Sequence, residues 1–396
     1  MTVRLTWAQV CARRLARHGL APRFDAGTHT VADVVSAMCG THAQVMSAAE
    51  LSLALRLDGG TRSDVRDALW ERRTVVKTYG PRATVHLLPA RELPMWTGAL
   101  SAIPTPPTSL PDSSQLTPSQ SDAVIAAIAE ALRGTDLTVE ELGAAVVAAT
   151  GPWASDPVVP AFGDWWPRWR QAISVAARRG ALCFGPARGR RITYTSPSAW
   201  LPGFEPADSA AASGELVRRY LYSYGPATAY EFAQWLGAPR AWSVNVFETI
   251  RDDLTRAEIT DKPAGSRPRG DGNTLWALAS EADEGEPSDS VRLLPYFDSY
   301  SVGCHPRRLL YPGMAAERAQ HRGGAGNYPV LVVGGTVTGI WHHKASGRRI
   351  AIDVEPFGRL NLRHRRALDD EVARVAEILG GGAELTVGKV DIGPHH

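Results

Sequence analysis

Hydrophobic positions in the first ninety residues follow a helical period and then change to a strand period. Segments 31–40 and 47–57 carry apolar residues at helical spacing, and segment 64–73 follows Thr61 and Ser63, two favourable N-cap residues. Two β-branched runs within 75–88 then flank a Tyr-Gly-Pro turn. Three helices followed by a β-hairpin is the order of elements in a winged helix. We predict such a unit for residues 1–105.

The same order of elements returns twice after a segment rich in proline and serine. Residues 106–122 are predicted to form a linker. Residues 123–205 predict three helices, the second beginning after the N-cap candidate Thr138, and then a hairpin with a basic turn. Residues 206–290 predict three more helices and short strands. The chain is therefore predicted to contain three tandem winged-helix units.

The pattern changes again at about residue 291. Strand-like segments with Gly-Gly and Ser-Gly turns come first, and an amphipathic helix that stops at glycines follows them. We predict a small β-barrel or a strongly curved sheet, with a terminal helix, for residues 291–396. The predicted fold class is α+β.

Composition sets limits on the class of protein. A chain of 396 residues with 44% hydrophobic and 21% charged residues is typical of a globular protein of two to four domains. We expect neither a membrane span nor a signal peptide, and we expect a cytoplasmic location. The cysteines lie far apart, which predicts reduced thiols, although two disulfides remain an alternative. Their spacing argues against a zinc site, and we expect no metal and no cofactor.

Charge is unevenly distributed although the net charge is only +2. Residues 1–100 contain thirteen Lys/Arg and eight Asp/Glu, and residues 341–366 contain seven and two. A nearly neutral protein can bind phosphates if its positive charge is gathered on one side. Two solvated basic faces are the alternative interpretation.

Several separated segments resemble the AlkZ and YcaQ family of winged-helix DNA glycosylases, and they occur in the family's order. The segments are CGTHAQVMSAAELSLALRL, LWERRTVVKTYGPRATVHLLPARELPMW, YGPATAYEFAQWLG, LLPYFDSY, VVGGTVTGIWHH and VEPFG. The resemblance implies three winged-helix units and a β-barrel in a C-shaped arrangement around a DNA channel. It also implies hydrolysis of the N-glycosidic bond of alkylated purines in double-stranded DNA, without a metal or cofactor.

The family's active motif differs between its branches and differs again here. It is Gln, an apolar residue and Gln in the AlkZ branch, and the third residue is Asp in the YcaQ branch. This chain has His42, Ala43 and Gln44 at those positions. A His–apolar–Gln motif is similar to that of a branch associated with self-resistance to bulky DNA-alkylating antibiotics. The resemblance thus implies a bulky N7-alkylguanine as substrate.

The residue types of the motif suit this reaction. An N7-alkylguanine is cationic and leaves as a neutral base, so the enzyme has to position water beside an oxocarbenium-like sugar. In an extended segment His42 and Gln44 point to the same side, where Gln44 can orient a water and neutral His42 can accept its proton. No lysine lies beside the motif, which argues against a lyase step. The alternative is that His42 bridges a helix junction and Gln44 is an ordinary surface residue.

Other residues are candidates for binding DNA or for orienting the site. Asp298 is a candidate orienting acid, with a structural hydrogen bond as its alternative. The DNA-binding candidates lie on two predicted hairpins and are Lys77, Arg82, Trp341, His342, Lys344, Arg348 and Arg349. Each of the five basic residues among them is, taken alone, equally consistent with a solvated surface. We predict a monomer that binds double-stranded DNA containing alkylated guanine. The alternatives are a non-enzymatic winged-helix transcriptional regulator and a protein that only shields damaged DNA.

Overall fold

The computed structural model describes residues 2–105, 109–161, 163–261, 271–280 and 285–395. The helices and hairpin predicted within residues 31–88 are present. Strands β2, β4 and β3 form an antiparallel sheet in that order. The elements of this part are β1 (Thr2–Leu5), α1 (Trp7–Arg17), α2 (Val31–Ala37), β2 (Thr41–His42), α3 (Met46–Ala54), α4 (Arg62–Trp70), β3 (Val75–Tyr79), β4 (Val85–Pro89) and α5 (Leu93–Ser101).

The next part repeats the arrangement and adds one hairpin. Strands β5, β9 and β8 form an antiparallel sheet in that order, and β6 and β7 form a separate two-stranded sheet. The elements are α6 (Pro118–Ala131), β5 (Leu137–Thr138), α7 (Val139–Thr150), β6 (Pro157–Ala161), β7 (Asp164–Pro167), α8 (Ile173–Arg178), β8 (Cys183–Arg188) and β9 (Arg191–Thr195).

Helix α6 begins inside the predicted linker. Thr117 caps it, the proline at 118 occupies its first position, and Gln120 completes the capping box. Proline is favoured there because its fixed φ suits the helix and its missing N–H is not needed. Residues 106–108 of the predicted linker lie outside the described residues.

The third part incorporates the first strand of the chain. Its elements are α9 (Ser209–Tyr224), α10 (Ala229–Leu236), α11 (Arg240–Thr249), β10 (Leu254–Ile259) and β11 (Trp276–Leu278). Strand β10 pairs with β11 on one side and in parallel with β1 on the other. The side chains of Leu5 and Val10 pack with Ile259 in a small core cluster. The sequence pattern grouped β1 with the first unit because this long-range pairing leaves no local signal.

The C-terminal part is a five-stranded sheet that remains open. Its elements are β12 (Val291–Leu294), α12 (Ser299–Gly303), α13 (Arg307–Leu310), α14 (Met314–Arg318), β13 (Val330–Val333), β14 (Thr336–Ser346), β15 (Arg349–Pro356), α15 (Leu362–Ile378) and β16 (Gly382–Val387). The strands follow one another in the order β12-β13-β14-β15-β16.

The fold class α+β is confirmed, but the described strands form no closed β-barrel. Strands β12 and β16 are the two edges of the C-terminal sheet. Helix α15 packs its buried residues Leu368, Val372 and Val375 against one face. A helix on a sheet buries the apolar face without closing the sheet, which is why a barrel is not needed.

Helix α3 fixes the position of the segment that precedes it. Its apolar residues are spread around the helix and are buried on both sides, together with Glu50 and Ser52. Ala49 and Leu53 belong to the core shared by the first two parts, and Leu51 and Leu55 belong to the core beneath the C-terminal sheet. Segment 41–45, which carries the His–apolar–Gln motif, is therefore attached to a helix that is packed on both sides.

Two predictions from composition can be compared with the structure. The thiols at positions 11, 39, 183 and 304 are all free and buried, which confirms the expectation of reduced cysteines. None of the described helices is long and apolar enough to cross a membrane.

Candidate functional site

The segment that carries the motif leaves α2 through a sharp turn. Cys39 and Gly40 have φ values of 52° and 89°, in the left-handed region. This reversal directs the chain against β4, where His42 pairs with His86. The backbone N–H of Ala43 continues the pairing by donating to a carbonyl oxygen of β4 at 2.7 Å.

Hydrogen bonds from distant elements fasten the same turn. Ser223 and Tyr224 of α9 donate from their hydroxyls to the last carbonyl oxygens of α2 and its C-cap, at 2.7 and 2.6 Å. Ser299, at the start of α12, donates to the carbonyl oxygen of Gly40 at 3.0 Å. The backbone of the motif is thus connected to the third and the C-terminal parts of the chain.

The motif alternates between the core and the surface. Ala43 is fully buried, whereas His42 is half-buried and Gln44 is exposed. This alternation puts the side chains of His42 and Gln44 on the side opposite Ala43. Within the part of the chain that the structure describes, neither side chain has a hydrogen-bond partner, and the Nδ1 atom of His42 is buried without one. A well-fastened segment therefore presents two polar groups with unused hydrogen-bonding capacity.

Two aromatic rings surround His42. The ring of His86 meets it edge to face, with centroids 5.3 Å apart, and the ring of Phe297 is tilted against it at 4.8 Å. Burial, together with the positive charge of Arg82, lowers the pKa of His42 from 6.5 to about 4. His42 is consequently neutral at neutral pH. A neutral imidazole accepts a hydrogen bond and does not repel a developing sugar cation.

His86 supports His42 from the neighbouring strand. Its Nδ1 atom lies 2.9 Å from the carbonyl oxygen of Thr84, and a carbonyl only accepts, so the neutral ring carries its proton on Nδ1. Burial and the neighbouring His42 lower the pKa of His86 well below 6.5. His86 is therefore a neutral ring with a defined tautomer.

Asp298 orients an arginine. Its two carboxylate oxygens accept from the Nη1 and Nη2 atoms of Arg56 at 2.9 and 2.8 Å, and Ser52 donates to Oδ2 at 2.6 Å. The side chains of Asp298 and Arg56 are both 0% exposed. Burial opposes the charge of the carboxylate, but Arg56 and these hydrogen bonds keep the pKa of Asp298 below its usual value. The pair joins the end of α3 to the loop that carries Phe297.

The two basic candidates on the first hairpin are engaged inside the protein. The ammonium of Lys77 lies 5.1 Å from the ring centroid of Phe184, in the second part of the chain. The guanidinium of Arg82 donates to the carbonyl oxygen of Trp235, in the third part. Burial lowers the pKa of Arg82 to about 10, so it stays protonated at neutral pH. Both cations are half-buried and contact other parts of the protein, and their contact with phosphates stays a prediction.

Trp341 is a core residue. Its side chain is 1% exposed, and its Nε1–H donates to the carbonyl oxygen of Leu294 at 2.9 Å. A buried indole offers no face to DNA, so the prediction for Trp341 is wrong for this conformation. Its position on the buried face of β14 follows from the alternation of the strand.

The remaining hairpin candidates lie towards the turn between β14 and β15. His342 is half-buried, and Lys344 and Arg348 are exposed. Arg349 is exposed as well, but its Nε atom forms an ion pair with Glu384 at 2.8 Å. Lys344 and Arg348 have no ion-pair partner among the described residues. They are consequently the hairpin cations most available to a phosphate.

Sequence reasoning missed three residues of this site, namely His86, Phe297 and Arg56. The segments that contain His86 and Phe297 were identified by their resemblance, but no pattern placed either residue beside His42. The pairing of His42 with His86 depends on a strand of only two residues. The contact with Phe297 joins positions far apart in the sequence, and neither of these features has a local signal.

Known proteins with this architecture can now be compared with the chain. It matches the family described as DNA glycosylase AlkZ-like over residues 35–378. It is 29% identical over 394 residues to an interstrand DNA cross-link repair glycosylase of Streptomyces sahachiroi, with 96% of this chain and 98% of that protein covered. The solved structure of Streptomyces sahachiroi DNA glycosylase AlkZ matches with a TM-score of 0.80 and 28% identity, covering 98% of this chain and 100% of that one.

Proposed function

The chain belongs to the AlkZ-like DNA glycosylase family, and from this premise we propose that it hydrolyses the N-glycosidic bond of guanine alkylated at N7. Family membership identifies an enzyme that acts on DNA, so the alternative of a transcriptional regulator is not retained. The lesion, the roles of His42 and Gln44, the arrangement of three winged helices around a DNA channel and the monomeric state are parts of the proposal.

One observation carries the proposal. His42 and Gln44 point to the same side of a segment whose backbone is hydrogen-bonded to β4, α9 and α12, while their own polar atoms have no partner among the described residues. The Nδ1 atom of His42 is also buried, and because buried polar groups in folded proteins are usually hydrogen-bonded, this exception needs an explanation. A catalytic water that these groups hold once the substrate is bound would give them their missing hydrogen-bond partner, and it fits this family's reaction.

The reaction balances without a strong general acid. The bond between C1′ of the sugar and N9 of the base breaks, and its electron pair neutralises the positive charge of the alkylated base. A water oxygen then forms a bond to C1′ and releases one proton. The products are the neutral alkylguanine, an abasic site and a proton. The enzyme contributes chiefly by orienting water next to the sugar cation.

The two side chains divide this task. The carboxamide of Gln44 accepts from the water through its oxygen and fixes the water's direction. His42 accepts a hydrogen bond from the water's other O–H and takes up that proton as the bond to C1′ forms. A pKa of about 4 makes His42 a weak base. A weak base is adequate because attack on an oxocarbenium-like carbon needs little proton removal in the transition state.

Asp298 acts in this scheme as a positioning residue. It holds Arg56, which follows α3, and it directly follows Phe297 in the loop that places that ring on His42. It does not reach the sugar in the scheme, because its carboxylate oxygens are already engaged by Arg56, Ser52 and a backbone N–H.

The tip of the β14–β15 hairpin is the proposed phosphate contact. Its support is the exposure of Lys344 and Arg348 and their lack of an acidic partner in the described parts of the chain. His342 lies on the same strand, and Arg349 would have to exchange Glu384 for a phosphate. Replacing Arg348 by Gln should reduce the slope of log affinity against log salt by about one unit. Arg133→Gln is the control, because that exposed arginine is paired with Glu130.

Interstrand cross-links are a natural extension of this substrate class. The relative from Streptomyces sahachiroi is named for their repair. A cross-link between two N7 atoms consists of two cationic N7-alkylguanines, so hydrolysis at either one unhooks the strands. We propose the same activity for this chain. We also propose a role in self-resistance to a DNA-alkylating natural product, which rests on the His–apolar–Gln motif.

The decisive test uses purified protein and a duplex with one defined bulky N7-guanine adduct. We expect release of the free adducted base and formation of an abasic site. Chromatography and mass spectrometry detect both products. Duplexes containing uracil or 8-oxoguanine serve as neutral comparisons, because these bases leave poorly without acid assistance. Efficient release of uracil with the N7 adduct left intact would overturn the proposed substrate class.

A further inference from the structure

An aromatic cluster lies beside His42, and the hydrolytic scheme uses only the contact of Phe297 with the His42 ring. Phe297 contacts the His42 ring at 4.8 Å. The ring of His395 meets Phe297 at 5.4 Å and Tyr296 at 5.2 Å, in both cases edge to face. All three residues are half-buried, so part of each side chain remains accessible. We call Tyr296, Phe297 and His395 the aromatic wall.

The backbone of the loop that carries Phe297 holds the aromatic wall in place. Phe297 has a φ of 55°, a left-handed conformation that is rare for a bulky side chain. Its N–H donates to the carbonyl oxygen of Gly326 at 2.8 Å. Gly326 has a φ of 95°, and a Cβ there would lie 2.6 Å from Val302 and 3.2 Å from the Phe297 ring, so the loop needs a glycine at this position. Conformations of this kind persist only when the surroundings enforce them, and they concentrate at functional sites.

The wall is completed by a segment distant in sequence. Segment 388–395 leaves the C-terminal sheet and is anchored where the N–H of Val390 donates to Glu355 at 2.8 Å. Asn327 then exchanges two hydrogen bonds with His395, at 2.9 and 2.7 Å. These bonds bring the His395 ring against the loop that carries Phe297. Two separate segments are therefore assembled next to the motif.

We infer that the aromatic wall is the element that distinguishes a cationic N7-alkylated purine from an uncharged purine, by stacking Phe297 on the base. The inference rests on the proposed function. If His42 accepts a hydrogen bond from the water that attacks C1′, then the base bonded to C1′ lies within reach of Phe297, whose ring contacts His42. The face of an aromatic ring is negative and attracts a cation, and stacking on a base adds to this attraction. Alkylation at N7 provides the positive charge that guanine lacks.

The selected state is also the reactive one. The alkylated base is cationic before the glycosidic bond breaks and neutral afterwards. The wall thus binds the substrate more strongly than the released base, and product leaves as its charge disappears. His395 acts as a positioning residue in this picture, because its edge contacts hold the rings of Tyr296 and Phe297.

Equilibrium binding tests the inference separately from excision. Three duplexes differ at one position, which is guanine, 7-methylguanine with a 2′-fluoroarabino sugar that slows its release, or neutral 7-deaza-7-methylguanine on the same sugar. The last two have the same shape and differ in charge. We expect wild-type protein to prefer the cationic base by roughly 3- to 30-fold, the range of cation–π attraction in a partly desolvated site.

Phe297→Leu should bring that preference close to one, and Phe297→Tyr, which keeps an aromatic face, should preserve it. Trp165→Leu is the matched control, because Trp165 is a 56% exposed aromatic residue on β7. An unchanged preference in Phe297→Leu, or no preference in the wild type, would overturn the aromatic wall.

Excision of ordinary 7-methylguanine by the wild type is measured in parallel. Excision without a Phe297-dependent preference rejects the wall and leaves the proposed function standing. A Phe297-dependent preference without excision supports the wall and rejects the proposed hydrolysis.

Discussion

The first and second parts of the chain each contain a two-residue strand that leads into a helix. The polar residues of this segment cap the helix in the second part but not in the first. In each, a two-residue strand, β2 or β5, pairs with the second strand of a hairpin and leads into a helix. After β5, Thr138 caps α7 directly, and Glu141 completes the capping box. After β2, the chain stays extended for three further residues, and α3 begins after Val45 without any side-chain cap.

The comparison shows that the motif segment lacks a helix cap that other helices of this protein have. Threonine capping boxes begin α1, α2, α4, α6, α7 and α10, so this sequence caps helices readily. A cap stabilises a helix by roughly 1 kcal/mol. The polar residues before α3 satisfy no local backbone group, and His42 and Gln44 remain available. A local rule broken where neighbouring copies obey it is a sign of function.

The largest expected effect separates the two copies by activity. Replacing Gln44 by Ala should lower single-turnover excision by at least ~10²-fold, because an orienting group is lost. Glu140 occupies the corresponding place, two residues after the end of β5, and is exposed in the first turn of α7. Glu140→Ala should leave the rate within about twofold. Similar rates for Gln44→Ala and wild type would remove the functional difference between the copies.

The next effect tests whether the two motif residues act as one unit. His42→Ala should reduce the rate by ~10-fold or more, and the double variant with Gln44→Ala should be little slower than the worse single variant. Groups that share one water lose their effects together, so their losses are not additive. Multiplication of the two losses in single-turnover rates would indicate that the residues act independently.

A third effect concerns charge, since the copy in the second part has no titratable residue on its strand. With a pKa of about 4, His42 should stay neutral as the pH falls from 8 to 5. Nuclear magnetic resonance of histidine-labelled protein should therefore show no titration of the His42 ring in this range, with His42→Gln providing the assignment. Because the folded pKa lies below that of the unfolded chain, stability due to His42 is lost as the pH falls from about 6.5 towards 4. A midpoint near 6.5 would contradict the burial argument.

A fourth effect concerns the free energy of unfolding, for which the residue of the second part should matter more than that of the motif. Thr138→Ala should reduce the free energy of unfolding by about 1 kcal/mol, because α7 loses its cap. His42→Ala should cost less, since it removes no hydrogen bond within the described structure. Urea unfolding followed by circular dichroism gives both values. A larger loss for His42→Ala would assign His42 a structural role.

The smallest effect comes from giving α3 the cap that it lacks. Val45 is its N-cap residue and has an extended backbone with φ of −106°. Val45→Thr places a hydroxyl where it can accept from the backbone N–H of Ala48, and it should stabilise the protein by about 0.5 kcal/mol. Excision should fall at the same time if the added polar group competes for the positioned water. Unchanged activity would show that the missing cap is unrelated to the reaction.

Local signals in the sequence account for most elements, whereas the motif was identified by its resemblance to the family. Thr61 and Thr138 cap helices as their residue types predict. Short-range patterns also reveal the hairpins, because turns and β-branched runs lie next to each other. The proximity of Phe297 to His42 and the parallel pairing of β1 have no such signal, since each depends on how whole parts of the chain pack.

Charged residues were the least predictable from sequence. Lys77 and Arg348 look alike in a sequence, yet the first lies over the Phe184 ring and the second is exposed at a hairpin turn. Long basic side chains are compatible with either position, because their stems pack on apolar groups while their ends reach polar partners. Only the tertiary contacts distinguish a cation that joins two parts of the protein from one that is free to meet a phosphate.

The parallel pairing of β1 with β10 has a consequence for how the protein is made. The contact between Trp7 and Asp261 spans 254 residues, and β1 leaves the ribosome long before its partner exists. At ~5–20 residues per second this interval is about 10–50 s. Throughout it β1 is an unpaired strand, and its short length and the charge of Arg4 limit association with other chains. The sheet of β1, β10 and β11 is therefore completed only after β11 has been synthesised, long after β1 has left the ribosome.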